Sequence, residues 1–484
     1  MCKCDLPTPL WVRKASMNEG LLVEYRLLFQ TTRAISNNMQ NDVEFDIAVV
    51  GGGPAGCAFS LSLFGHSHRL SCLLIDDSDP RVFKIGESLP PEAVRLLHHL
   101  SPSLPKALTA QVLSGVHSLC TGNASAWASS IVEERHAILN PFGHGLHLDR
   151  ATFDETMRET VIQLSLKDPR LCFLKGRVVD LQLTDQRWAI CVNVGDETRA
   201  IKVHWVVDAT GRRASLATKL GRTILSPNPL LAFYALFVGP SFPDPAEGDN
   251  DSRTLIEATS DGWFYSSLIS RNPCTRIVAF HTLPTHPAAK QSRRRDGFID
   301  LLTASAPLIS RIVHESDYTM ARDGGYPRCT AAGTSYLDKT CDSKAQWIAV
   351  GDSASAFDPL SSQGIMTSLE MGFYIGAMLA HRIEEDDIER DFDDEIDKMY
   401  RAVRLDYERH RGYYYGIVER FKGEMFWQRG CALLLHLSRC ESSLQDGPSA
   451  SLQSSQKICY SAKVMEIQTD IEYNAEDDKI TRIP

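Results

Sequence analysis

No apolar run in this 484-residue chain approaches the ~18 to 20 residues that a membrane-spanning helix needs. No lysine- and arginine-rich run stands out against a net charge of −10. Neither nucleic acid nor an anionic membrane is therefore an expected partner. The 13 cysteines are scattered and odd in number, which excludes a tidy disulfide framework and fits a reducing, cytoplasmic setting. Cys2 and Cys4 supply half of a metal-binding pattern with no second Cys or His pair nearby, so no metal is expected. The stretch Met1 to Asn41 lacks a continuous apolar core and carries Glu19 and Glu24, against a secretory signal. Internal repeats are absent too.

What is present is concentrated between Phe45 and Pro91. Ile47-Ala48-Val49-Val50 is a short apolar run ending in glycines, the pattern of a buried parallel strand. Gly51, Gly53 and Gly56 then give G-x-G-x-x-G: a tight turn, a place where a pyrophosphate can approach the backbone, and close packing of the next helix on the strand. Ala55 lies inside the same turn and belongs with it as a cofactor-binding position. Leu73-Leu74-Ile75 forms a second strand ending in Asp76, where an acid that binds a ribose hydroxyl belongs. Strand, glycines, helix, strand and acid in register predict a dinucleotide site.

Further along, Lys84 and Glu87 are the charged residues nearest that site, with a solvated loop charge the simpler role for Lys84. Leu146-His147-Leu148 reads as a strand, Asp149 as a helix cap, and Phe153, Met157 and Val161 as one helix face. His144 and His147 stand as substrate-side candidates beside a plain structural role. The strand that ends Val206-Val207-Asp208-Ala209-Thr210-Gly211 is expected beside the first strand. Segments 231–238, 254–259, 263–269 and 276–282 predict a second, mostly antiparallel sheet over the cofactor. Trp347 to Asp352 reads as another strand, followed by a helix that packs through Ile365, Leu369, Gly372, Gly376 and Leu379. Its N-terminus suits an anion. Ile388, Phe392, Ile396, Met399 and Val403 mark an amphipathic helix, and Tyr407, Tyr413 to Tyr415, Phe421, Phe426 and Trp427 an aromatic patch read as helical core or a substrate lid.

Three separated motifs agree: GGGPAG at 51–56, VVDATG at 206–211 and WIAVGDSASAFDPLSSQG at 347–364. Together they resemble the flavoprotein monooxygenases of the hydroxybenzoate hydroxylase type, within the branch of flavin-dependent halogenases and their monooxygenase relatives. RVFKIGESLPP, GNASAWAS and GHGLHLDR resemble in particular the LodB/GoxB type, flavoproteins that help make tryptophan-derived quinone cofactors in partner oxidases. The resemblance implies an α/β fold: a Rossmann-like FAD-binding domain with an inserted mixed or antiparallel β-sheet substrate domain and a helical C-terminal region. The expected division is a disordered extension at 1–43, a discontinuous FAD domain at 44–224 and 325–385, a substrate-side sheet at 225–324, a helical region at 386–440 and a disordered tail at 441–484. It further implies Asp352 at the ribityl chain, Asp76 at the adenosine ribose, Arg150 at the cofactor's outer side, and Gly364-Ile365 at the pyrimidine edge of the flavin. Trp263 and Gln363 join the two histidines as substrate-side candidates; no catalytic residue is assigned.

Departures from the halogenase pattern are informative. The tryptophan-halogenase G-W-x-W-x-I-P is replaced by Gly262-Trp263-Phe264-Tyr265-Ser266-Ser267-Leu268. The segment that carries their substrate-activating glutamate reads Pro359-Leu360-Ser361-Ser362-Gln363-Gly364-Ile365, with Ser361 in the acid's place, and Gln111 to Ser130 holds no lysine. The expectation is therefore an FAD-dependent monooxygenase working through a C4a-hydroperoxyflavin on a small aromatic substrate or a tryptophan of a partner protein. A flavin oxidase or dehydrogenase is the alternative, and a halogenase a lesser one. No second G-x-G-x-x-G has a strand-helix setting, so reducing equivalents are expected from docked NAD(P)H or a separate flavin reductase.

Overall fold

The computed structural model describes residues 44–80, 82–240, 248–271, 273–385 and 391–432. The readings of 1–43 and 441–484 as disordered, and of Ile388 as part of a helix face, lie outside the described residues.

The apolar run at the start becomes a strand, Glu44–Val50, and Leu73 to Ile75 a second, Cys72–Asp76. Both lie in an eight-stranded sheet together with Leu171–Lys175, Glu197–Asp208 and Trp347–Ala349. The strand leading into Ala-Thr-Gly does lie beside the first, parallel and in register from Glu44 opposite Lys202 to Val50 opposite Asp208. Trp347–Ala349 pairs parallel on its other side. A parallel sheet buried on both faces needs continuous apolar strands, and Ile47, Ala48, Val49, Leu74, Ile75, Val207 and Ile348 are all fully buried or nearly so. Two strands, Arg177–Thr184 and Arg187–Val194, extend the sheet as an antiparallel ribbon.

Helix Pro54–His66 starts with proline at its first turn and is buried on most sides, from Ala55 to Leu63. One face meets the sheet; the other meets the long helix Gly364–Glu384. Small residues allow that approach. A Cβ at Gly372 would lie 2.5 Å from the Ala55 carbonyl oxygen, and one at Gly376 2.7 Å from that of Phe59.

The second sheet also has eight strands, built on Leu231–Val238, Cys274–Thr282, Gly262–Arg271 and Thr254–Thr259 in antiparallel order. It is mixed: Gly122–Ala126 joins parallel to Thr254–Thr259, and Glu133–His136 forms its edge. Residues 122–136, which the sequence reading left with the first domain, therefore pair into this sheet, as does Arg328–Ala331. Three helices not anticipated from sequence, Pro287–Gln291, Arg295–Ser305 and Pro307–Glu315, occur between its strands. Phe298, Leu301, Leu302, Ile309 and Val313 pack there against Phe233, Phe237, Phe264 and Phe280. The opposite face carries Trp127, Trp263 and Tyr265 and receives Tyr415, Phe426 and Trp427 from the C-terminal helices. Trp427 Nε1 donates to the Thr259 carbonyl at 2.7 Å and Trp127 Nε1 to that of Tyr414 at 2.7 Å, so this part of the aromatic patch is core.

The helix contact gives a test. Gly372→Val adds bulk against backbone that cannot yield and is expected to cost ~1 to 3 kcal/mol of unfolding free energy. Gly65→Ala, where a Cβ meets nothing within 4 Å, should instead stabilise. Urea titration of both variants measures the difference.

Candidate active site

A cavity of about 910 Å³ opens between the two sheets. Its lining includes Gly51, Gly53, Pro54, Ala55, Asp76 and Asp77 from the glycine turn and the following strand, and Trp263, Tyr265, His281, Gly364 and Ile365. The residue types along it are those a long, partly anionic, partly aromatic group requires.

The glycine turn is shaped by three different demands. Gly51 has φ +112°, and a Cβ there would lie 2.3 Å from the Ala209 carbonyl oxygen. One at Gly56 would be 1.9 Å from the Gly51 carbonyl oxygen, so helix and strand can meet only without it. Gly53 differs: a Cβ there meets nothing within 4 Å, and its backbone at φ −80°, ψ −176° suits any residue. Its missing side chain leaves space rather than relieving a clash. Asp76 accepts hydrogen bonds from Gly52 N at 2.9 Å and Ser78 Oγ at 2.9 Å, which fixes its carboxylate at the end of its strand. Arg158, whose Nη1 donates to Gly52 O at 3.0 Å, stands 3.8 Å from the same carboxylate.

Asp352 follows the Trp347–Ala349 strand and lines the cavity. Burial raises its carboxyl, while Arg212 and Arg150 oppose that shift; its side chain retains 35% of its exposure and lies 3.6 Å from Arg212 Nε. Arg212 also donates to Gly333 O at 2.6 Å and Phe357 O at 2.5 Å, tying three segments together beside the acid. Arg150 lines the cavity and donates to Gly86 O at 2.7 Å. Its Nη2 lies 3.1 Å from Asp154, which also receives Lys84 Nζ at 2.9 Å. Burial would raise Asp154, but Arg150 and Lys84 outweigh it and hold the carboxyl below its ordinary range. Ser362, at φ +53°, leads into the N-terminus of the long helix, where Gly364 and Ile365 line the cavity. Free backbone N–H groups at such an end favour an anion.

Among the substrate-side candidates, Trp263 stands on the cavity wall. Its Nε1 donates to Tyr415 Oη at 3.0 Å, and Tyr415 Oη donates to buried Asp358 at 2.8 Å. His147 is fully buried away from the wall; its ring nitrogens meet Leu268 O at 3.2 Å and Thr254 Oγ1 at 2.8 Å. His144 and Gln363 are not among the lining residues either. Two residues never singled out for a substrate role share the wall with Trp263. His281 stacks on its indole at 3.8 Å with an 11° tilt, and Glu87 accepts from Tyr265 Oη at 3.2 Å. Burial pushes the His281 imidazole down to about 3; the Trp263 backbone opposes this without hydrogen-bonding geometry to either ring nitrogen. Burial first, and the Glu87 carboxylate next, hold Tyr265 well above the usual phenol range. Cross-strand register, with Trp263 directly opposite His281, is the signal that assembles this wall.

Among the described residues no group of three or more His, Cys, Asp or Glu is arranged to hold a metal ion, and no helix is long and apolar enough to cross a membrane.

The fold is similar to that of flavin-dependent halogenases and related flavoproteins, as the three motifs anticipated. In sequence the chain is similar to the putative FAD-dependent oxidoreductase LodB of Marinomonas mediterranea, 24% identical over 389 residues, 80% of this chain and 96% of that protein. In structure it is similar to the flavin-dependent halogenase CmlS, with TM-score 0.68 and 20% identity over 84% of this chain and 71% of that one. It is also similar to QhpG, a peptidyl tryptophan dihydroxylase essential for tryptophylquinone cofactor biogenesis, with TM-score 0.59 and 21% identity over 80% of this chain and 79% of that one. No family model matches the chain.

Two outcomes are expected. Gly53→Val should leave the melting temperature of the FAD-free protein nearly unchanged, because its Cβ clashes with nothing, yet strip FAD from the protein as purified; flavin absorbance per chain reads this. His281, pushed down to about 3, is neutral when folded and titrates near ~6.5 when unfolded. The unfolded chain thus binds the extra proton, and stability is complete above that value and falls as pH drops toward 3. Denaturation of His281→Phe between neutral and acid pH should show a shallower loss than the unmodified protein.

Proposed function

We propose that this protein is an FAD-dependent monooxygenase that hydroxylates an aromatic or indole-like group, carried by a small molecule or by a tryptophan of a partner protein. The observation that carries the reading is one cavity joining a dinucleotide turn to an aromatic wall, with both of its lysines engaged. Lys84 is paired with Asp154 at 2.9 Å, and Lys219 Nζ donates to the Val179 carbonyl. A relay that passes a hypohalous acid needs a free amine facing the substrate, and neither lysine is one. The likeness to QhpG supports hydroxylation of a peptidyl tryptophan as one form of the reaction.

The residues present fit FAD. Gly53 leaves room for a pyrophosphate at the start of the helix, Asp76 would hold the adenosine ribose and Asp352 the ribityl hydroxyls. Arg150 would border the cofactor, and the N-terminus at Gly364-Ile365 would face the flavin's pyrimidine edge. Reduced FAD supplies the activation of dioxygen; the chain supplies placement and a dry wall. Trp263 is held from behind by Tyr415, itself fixed by Asp358, so the ring facing the cavity cannot swing. NAD(P)H docking directly, or a separate flavin reductase, would deliver the electrons.

With FAD, a flavin reductase, NADH and isotopically labelled O2, the expected product of an indole or a tryptophan-bearing peptide carries the label. Oxidised product without label would replace this reading with an oxidase or dehydrogenase. Excess chloride or bromide should give no halogenated product beyond what free hypohalite produces.

A further inference from the structure

The cavity lining contains polar side chains whose buried atoms the protein leaves without partners. Glu87 is 1% exposed and His281 0%, and both line the cavity. Glu87 Oε2 is occupied: Gly86 N donates to it at 3.2 Å and Tyr265 Oη at 3.2 Å. Glu87 Oε1 is buried and accepts from nothing, and both ring nitrogens of His281 are likewise buried and unpaired. Such groups are expensive to bury, and an apolar residue of similar shape would remove the cost. These atoms share a surface with flat rings: His281 lies on Trp263 at 3.8 Å and stacks with Tyr265 at 5.6 Å.

We propose that Glu87 is the specificity-determining residue of the aromatic site, its Oε1 accepting a hydrogen bond from a ring N–H or O–H of a planar substrate seated against the Trp263, Tyr265 and His281 wall. The substrate class is thereby narrowed from aromatic in general to aromatics that carry a ring-borne donor, such as an unsubstituted indole or a phenol. This inference rests on the cavity being the substrate site of the oxygenation proposed above. Glu87 acts as acceptor with one oxygen only, because the other is pinned by two protein donors. That asymmetry makes Glu87→Gln diagnostic. The amide oxygen must take the pinned position, since Gly86 N and Tyr265 Oη both donate there, and the NH2 group then occupies the place of Oε1. An acceptor facing the substrate becomes a donor while shape and packing persist.

The test is equilibrium dialysis of the FAD-loaded protein against indole, skatole and N-methylindole, without reductant, so that binding is read apart from turnover. Skatole carries the same added methyl group as N-methylindole but keeps its N–H, which separates bulk from hydrogen bonding. The unmodified protein is expected to bind indole and skatole about tenfold more tightly than N-methylindole, the effect of one lost hydrogen bond. Glu87→Gln should erase that preference through weaker binding of the N–H probes alone, with flavin content and melting temperature retained. His281→Phe, which keeps the ring stack, is expected to hold or raise the melting temperature and to keep the preference, since Glu87 carries it. Equal binding of N-methylindole and skatole, a preference that survives in Glu87→Gln, or no saturable binding of any probe overturns the proposal. Labelled oxygen appearing in product despite such a result would leave the monooxygenase reading standing and remove only the role of Glu87.

Discussion

Backbone meets backbone around Ala55, and the nucleotide half of the molecule is arranged by that contact. Absent side chains permit it from four directions: at Gly56 toward Gly51, at Gly51 toward Ala209, at Gly351 toward the Ala55 methyl and at Gly372 toward the Ala55 carbonyl. Strand, helix, neighbouring strand and the later long helix can therefore converge within a few ångströms of one turn. Because protein interiors are close-packed, no neighbouring element can retreat to admit a methyl group at these points. Gly53 is the exception: a Cβ there meets nothing, and the turn stays open toward the cavity it lines.

Much of this was legible in the sequence, for a physical reason. Turn glycines, short apolar strands and an acid at the strand end are local requirements, so Gly51, Gly56 and Asp76 announce themselves without knowledge of the rest. The cap at Asp149 was equally readable, and its carboxylate does accept from Thr152 N at 2.8 Å. The helices at 287–315 were missed although Phe298, Leu301 and Leu302 have helical spacing, because alternation in the flanking strands dominated the reading. Strands 122–126 and 133–136 were not read from the sequence, and they join the second sheet, since nothing local records which edge a strand will join.

The substrate-side wall was the least legible part. His147 and His144 attracted attention as histidines near a strand, whereas His281 sits in an unremarkable apolar strand. Its position opposite Trp263 follows from a register between two strands, which hydrophobic pattern alone does not specify. Glu87 was visible as a charge near the cofactor, but its division into one satisfied and one orphaned oxygen depends on Tyr265, 178 residues away in the chain. Local chemistry thus marks the glycine turn and its acid, and long-range pairing decides which side chains form the rest of the cavity wall.

The parallel pairing of Trp347–Ala349 beside Glu197–Asp208 has a consequence for how the chain is made. The first strand is complete at Val50, yet Gly351 and Gly372, which close over its turn, lie some 300 residues later. At roughly 5 to 20 residues per second, a ribosome needs roughly 15 to 60 seconds to cross that interval. Throughout it the nascent chain holds strands and a helix whose apolar faces have no cover. The nucleotide half therefore begins first yet stays uncovered for that whole interval, and a chaperone reaching this chain during synthesis would find unprotected apolar surface there.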